Sequence, residues 1–140
     1  KLNRVIKELT YIVEMNLTVG VFMAAIGTFL GGIWANESWG RYWGWDPKET
    51  WALVIVLFYA MVLHLRFIPK ANGRFLFNLM AVLGFSVVLM TYFGVNYYLS
   101  GLHSYAAGDP VPIPTFVPVT AAVVLVIALI AGLRNKKLPS

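Results

Sequence analysis

At 140 residues, with 59% hydrophobic and 12% charged residues and a mean hydropathy of +0.73, the chain is too apolar for a soluble domain. A formal charge of +5 would suggest nucleic acid in a soluble protein, but the basic residues lie between apolar runs, so membrane topology accounts for them and no nucleic-acid partner is expected. The absence of cysteine excludes an internal disulfide, a thiolate metal site or a thiol relay within this stretch, so any sulfur chemistry uses a partner's thiols.

The chain begins with Lys1 rather than Met and carries no signal-peptide pattern, which points to a start inside a longer or processed polypeptide. Four apolar runs can cross about 30 Å of hydrocarbon at roughly 1.5 Å per residue. They are Tyr11 to Trp34, Trp51 to Ile68, Phe75 to Leu99 and Phe116 to Leu133. The expected fold is therefore an all-α membrane protein with four transmembrane helices and two outward-facing loops, part of a larger helical bundle.

Alternating connections place Lys1, Arg4, Lys7, Arg66, Lys70, Arg74, Arg134, Lys136 and Lys137 on one side, against only Arg41 and Lys48 on the other. The positive-inside rule makes the richer side cytoplasmic. The loops 35–50 and 100–115 then face the periplasm of a bacterial inner membrane, or the equivalent thylakoid side, and residues 134–140 form a cytoplasmic tail. The turn from Pro69 to Gly73 reads as a tight helix-to-helix connection. The run Asp109-Pro110-Val111-Pro112-Ile113-Pro114 favours polyproline geometry and reads as a stiff strap into the last span.

All five Trp residues (Trp34, Trp39, Trp43, Trp45 and Trp51) lie in or beside the first outer loop. An aromatic belt would explain them, but a belt decorates both interfaces and the cytoplasmic ends carry no Trp. Clustered amphipathic aromatics suit a flat apolar ligand instead. Asp46-Pro47-Lys48-Glu49 also fits a helix start, with Asp46 as N-cap, Pro47 at N1 and Glu49 closing a capping box. The structural role is favoured for Asp46, and the two readings coexist, since a rigid helix start holds Trp45 and Trp51 beside a ligand.

The stretch Trp39-Gly40-Arg41-Tyr42-Trp43-Gly44-Trp45-Asp46-Pro47-Lys48-Glu49-Thr50-Trp51-Ala52-Leu53 resembles the tryptophan-rich WWD signature of haem-handling membrane proteins. Its ending is similar to the CcsA or ResC branch, the system II (CcsBA-type) cytochrome c synthases, more than to system I members. The resemblance extends through Leu63-His64-Leu65-Arg66 and Gly94-Val95-Asn96 to Gly101-Leu102-His103-Ser104-Tyr105.

An ionisable side chain inside a span is costly and marks a functional candidate. His64 lies 18 residues beyond Asp46, about 27 Å along a helix, near the cytoplasmic end. His103 follows the third span in the outer loop, so the two rings are expected to stand at different levels. Neutral imidazole suits haem iron, and a bis-histidine site at either level must borrow its second ligand from other polypeptide. The resemblance implies an inner haem position, matched by His64, and an outer one under the WWD loop, matched by His103. The bland alternatives are a snorkelling or packing role for His64 and an ordinary loop role for His103. Glu14 and Asn16 either assist a histidine, line a haem route, or simply pack between helices.

The implied reaction carries haem b to the outer face and adds two thiols of an apocytochrome c Cys-x-x-Cys-His segment across its vinyl groups. In that scheme Trp39, Trp43, Trp45, Asp46 and Trp51 form the haem site, His64 and His103 are axial ligands, and His103 is catalytic. Arg41 and Lys48 are candidates for pairing with the propionates, or are merely solvated. The implied partners are apocytochrome c, membrane lipid, and a CcsB/ResB-like subunit or fused N-terminal domain supplying further histidines. No residue must act as general acid or base, which suits a templating enzyme and keeps open a haem exporter or chaperone that presents haem without attaching it.

Overall fold

The computed structural model describes residues 2–102 and 112–135. Every regular element among the described residues is helical, and four helical stretches are long and apolar enough to cross a membrane. Helices α1 (Leu2–Trp39), α2 (Pro47–His64), α3 (Arg74–Leu89) and α4 (Val95–Tyr98) belong to one compact unit. Helix α5 (Phe116–Asn135) belongs to a second unit and is described by itself.

Helix α1 outruns the apolar stretch that announces it. Its 38 residues make a rod of about 57 Å, far longer than the hydrocarbon layer. The extra turns are polar and use ordinary helix chemistry, including an Arg4 to Glu8 ion pair at 2.8 Å with four-residue spacing. The rod stops at Gly40, which turns into the left-handed region at φ 71° while its N–H reaches the Asn36 carbonyl at 2.8 Å. Glycine takes that conformation without a Cβ clash, which makes it the usual residue after a helix end. The expected loop 35–50 is thereby shortened to residues 40–46, and Trp34 and Trp39 stand on the helix itself.

Helix α2 starts earlier than its apolar run because its polar first turn is capped. Asp46 is the N-cap, Pro47 occupies the first turn, and the reciprocal Asp46 and Glu49 capping box is complete. A short 3-10 turn, Leu65–Phe67, follows His64. The reversal to α3 is a tight turn in which Ala71 N–H meets the Ile68 carbonyl at 2.9 Å, with Pro69 pre-set for the second turn position.

Residues 74–98 form a continuous helical path interrupted in type. Between α3 and α4, Met90–Gly94 widens into a π-helical turn. Such turns are rare and concentrate at functional sites. Here the one hydroxyl proton of Thr91 is shared between the Val87 carbonyl on its own path, at 2.8 Å, and the Trp51 carbonyl on α2, at 3.2 Å.

The buried core is small: Val62, Leu65 and Phe77, with Val13, Leu17, Phe58 and Met80 packed around them. Large apolar residues such as Met15, Val19, Phe22 and Phe29 remain exposed along α1. A chain that meets lipid or neighbouring helices need not bury these residues within itself. Without water to drive burial, polar contacts help to fix the helix pairing. Buried Thr10 donates to the Ile6 carbonyl at 2.8 Å and accepts from the Asn78 amide at 2.8 Å, linking α1 to α3. Thr10→Val should strand the Asn78 donor and lower stability by about 1 kcal/mol, measured in detergent, whereas changing both residues to apolar ones should recover much of the loss.

Candidate functional site

The site is built on residues 40–46, which leave the end of α1 and fold back beside it. The Tyr42 carbonyl approaches the Cα side of Gly32 so closely that an added Cβ would lie 3.1 Å from it. This return places Trp43 over an apolar groove between α1 and α2, of about 510 Å³, lined also by Ala25, Phe29, Ile33, Leu53 and Val56. Trp43 is partly buried and meets Trp45 edge-on, with ring centroids 5.7 Å apart and planes at 89°. Trp34 and Trp39 form a second edge-on pair at 5.0 Å on the last turns of α1.

Trp45 is held in an unusual backbone conformation. Its φ of 58° lies in the left-handed region, a position that favours glycine, and its indole is 70% exposed. Such a conformation persists only where neighbours over-determine it, and costs on the order of 1–3 kcal/mol. The constraints on both sides are visible. Glu49 Oε2 accepts from the Gly44 N–H at 2.7 Å and from the Asp46 N–H at 3.2 Å, while the Thr50 hydroxyl donates to the Trp45 carbonyl at 3.4 Å. The first turn of α2 thus grips the backbone before and after Trp45, and leaves an indole projecting outward.

Asp46 does more than cap. It is 7% exposed, and one carboxylate oxygen accepts from the Lys48 N–H at 3.3 Å while the other accepts from the Leu102 N–H at 2.7 Å. The second bond ties the Trp segment to the chain beyond α4. Gly101 is required for that approach, because a Cβ there would stand 2.4 Å from the Asp46 oxygen. Lys48 strengthens the same junction by donating to the Asn96 side chain on α4 at 3.0 Å.

Arg41 is oriented differently from Lys48. Its Nη1 stands 4.0 Å from Glu49 Oε1, beyond hydrogen-bond reach, and among the described residues both atoms are buried without a hydrogen-bond partner. The pair is a charged donor and acceptor held close but not joined.

His64 ends α2 with its ring exposed. Its Nδ1 lies 2.7 Å from the Ala60 carbonyl. A carbonyl only accepts, so it is the Nδ1–H that donates to it. Metal-binding imidazoles are commonly anchored in this way, one nitrogen bonded to the backbone and the other, here Nε2, available as ligand. Phe67 packs at a tilt against the ring, 5.8 Å between centroids.

His103 lies outside the described residues, as do Asp109, Pro110 and Val111 of the expected strap. Trp43, Trp45, Asp46 and the start of α2 are brought together; His64 lies at the far end of α2, 17 residues beyond Pro47. Glu14 is engaged by Arg66 in a charged hydrogen bond, and the Asn16 amide returns to the Ile12 carbonyl at 2.9 Å. Among the described residues neither is bonded to His64, and helix packing accounts for both. Sequence reasoning assigned no role to Thr91 or Asn96; polar side chains within an apolar run were the signal that marked them.

These features define a multi-helix, membrane-type chain whose aromatic segment is locked to a capped helix start. Residues 1–103 match the family described as Cytochrome C assembly protein, and the chain belongs to that family. It is 57% identical over 111 residues to Protein NrfI of Wolinella succinogenes, a match covering 79% of this chain and 12% of that protein. It is 48% identical over 99 residues to Cytochrome c biogenesis protein CcsA of Prochlorococcus marinus subsp. pastoris, covering 71% of this chain and 31% of that protein. The CcsA of a Synechococcus species is 51% identical over 89 residues, covering 64% and 29%. The chain therefore spans less than a third of the length of these relatives.

Proposed function

We propose that this chain takes part in cytochrome c biogenesis by holding haem against its tryptophan segment, at the outer face of a bacterial inner membrane or the thylakoid equivalent, for covalent attachment to apocytochrome c. The observation that carries the proposal is the locked aromatic segment: Trp43 over an apolar groove and Trp45 exposed beside it, on a backbone fixed by Asp46 and Glu49. A flat, largely apolar macrocycle gains from such indole faces, and a rigid surface loses little entropy on binding it. Trp39 and Trp51 border the same segment and extend the aromatic surface available to haem b.

The charged groups divide between two jobs. Lys48 supports the loop through Asn96, whereas Arg41 Nη1 stands 4.0 Å from Glu49 and makes no hydrogen bond among the described residues, so Arg41 is the better candidate for a haem propionate. The bond from Asp46 to Leu102 fixes the backbone one residue before His103, the proposed outer axial ligand. His64 is proposed as the inner ligand, its ring anchored through Nδ1 to the Ala60 carbonyl. In each site the second imidazole comes from a CcsB/ResB-like subunit or fused domain.

The chemistry is addition. Each thiol of the Cys-x-x-Cys-His segment forms one S–C bond to a vinyl group, and its hydrogen passes to the other vinyl carbon, with no net change in electrons. The protein contributes placement of the vinyl edges beside the thiols, which removes part of the entropic barrier. Full-length protein supplied with reduced haem and a Cys-x-x-Cys-His peptide should yield a covalent haem adduct. Tight haem binding with no adduct would make the protein a haem-presenting chaperone, and no Soret absorbance would exclude both readings. His103→Ala should remove outer haem and be partly rescued by added imidazole; unchanged haem content and unchanged adduct yield would defeat the ligand assignment.

A further inference from the structure

We propose a second, separate ligand site at the opposite end of α2: the cleft between the start of α1, the 3-10 turn and the start of α3 binds the phosphate of an anionic membrane lipid. The cleft encloses about 420 Å³, and Lys7, Tyr11, Glu14, Arg66, Asn72 and Arg74 are among the residues lining it. Three cations face one carboxylate. Glu14 is committed to Arg66, and Glu8, nearby on α1, is committed to Arg4. Lys7 rests over the Tyr11 ring at 5.8 Å, and Arg74 donates to the Asn3 carbonyl at 3.4 Å. No carboxylate pairs with Lys7 or Arg74 among the described residues, so the cleft keeps an excess of two positive charges.

Three observations favour a lipid over a soluble anion. The cleft lies where the spanning helices α2 and α3 reverse, at the level of a membrane surface. Its lining includes the exposed Tyr11, and the Arg66 guanidinium lies over the exposed Phe67 ring at 5.0 Å, apolar surface that acyl chains would cover and a free anion would leave in water. Finally, the α1–α3 contact here carries its own Asn78 to Thr10 hydrogen bond and Glu14 is taken by Arg66, which leaves Lys7 and Arg74 outside any ion pair among the described residues. Basic clefts between helices on the positive side of a membrane suit anionic headgroups, and each cation near such a surface adds about fivefold in affinity.

The test uses the full-length membrane protein in nanodiscs of phosphatidylcholine containing a fixed fraction of phosphatidylglycerol, extracted gently and analysed for retained lipid by native mass spectrometry. Wild type should retain phosphatidylglycerol over phosphatidylcholine. Lys7→Gln with Arg74→Gln should lower that retention roughly 25-fold, each single change about fivefold, while the charge-preserving Lys7→Arg with Arg74→Lys should keep it. Equal retention by the doubly neutralised protein, or equal loss in the charge-preserving variant, would overturn the site. Displacement of the lipid by millimolar inorganic phosphate would overturn its assignment to lipid. Haem attachment is not read in this experiment, so its outcome is independent of the outer-face proposal.

Discussion

Asp46→Ala should release the tryptophan segment and abolish most haem attachment without unfolding the helices. The carboxylate satisfies the first turn of α2 and the Leu102 N–H at once, from a position 7% exposed. Loss of a side-chain cap costs about 1 kcal/mol, and loss of the Leu102 hydrogen bond to a charged acceptor adds about 1.5–3 kcal/mol. Together they should raise local opening by about two orders of magnitude, read as faster hydrogen exchange at the Lys48 and Leu102 amides, with amides in the middle of α2 little changed. Asp46→Asn retains one acceptor oxygen and should fall between. Gly101→Ala tests the same junction from the other side, since its methyl would occupy the space of the Asp46 oxygen. If exchange at Leu102 stayed slow in both variants, the junction would not be what positions the loop.

His64→Ala should cost the protein its inner haem, with a loss of at least tenfold in the Soret band attributable to that site, while the tryptophan segment keeps its own affinity. The ring is exposed and hydrogen-bonds through Nδ1 to the Ala60 carbonyl of its own helix. Removing such a side chain should shift helix stability by only a few tenths of a kcal/mol. Haem loss with unchanged thermal stability, and recovery on adding imidazole, would identify a ligand. Normal haem loading would leave His64 as a packing partner of Phe67.

The spans were legible in the sequence because a bilayer imposes a long apolar run on any helix that crosses it; Trp51 to Ile68 and Phe116 to Leu133 fall close to the helices observed. The start of α2 was legible for a local reason, as Asp46, Pro47 and Glu49 carry their capping geometry in their spacing. The ends of α1 were not legible from apolar runs, because helix propensity and four-residue ion pairs carry a helix past the edge of its apolar stretch. Arg41 and Lys48 looked alike in sequence, as loop cations of one sign. Only their neighbours separated them, one bonded to Asn96 and the other 4.0 Å from Glu49 with a buried N–H that makes no hydrogen bond among the described residues.

The sequence by itself determined the class of protein, the number of spanning helices, the capped start of α2 and the family, since each rests on composition, local periodicity or a contiguous motif. The tertiary structure decided that Asp46 also holds Leu102, that Trp45 takes a left-handed backbone, that Thr91 joins a π-turn to α2, and that Lys7, Arg66 and Arg74 share one cleft. These pairings join residues tens of positions apart, or depend on what surrounds a residue. No local propensity encodes them; they follow from which helix faces meet when the chain folds.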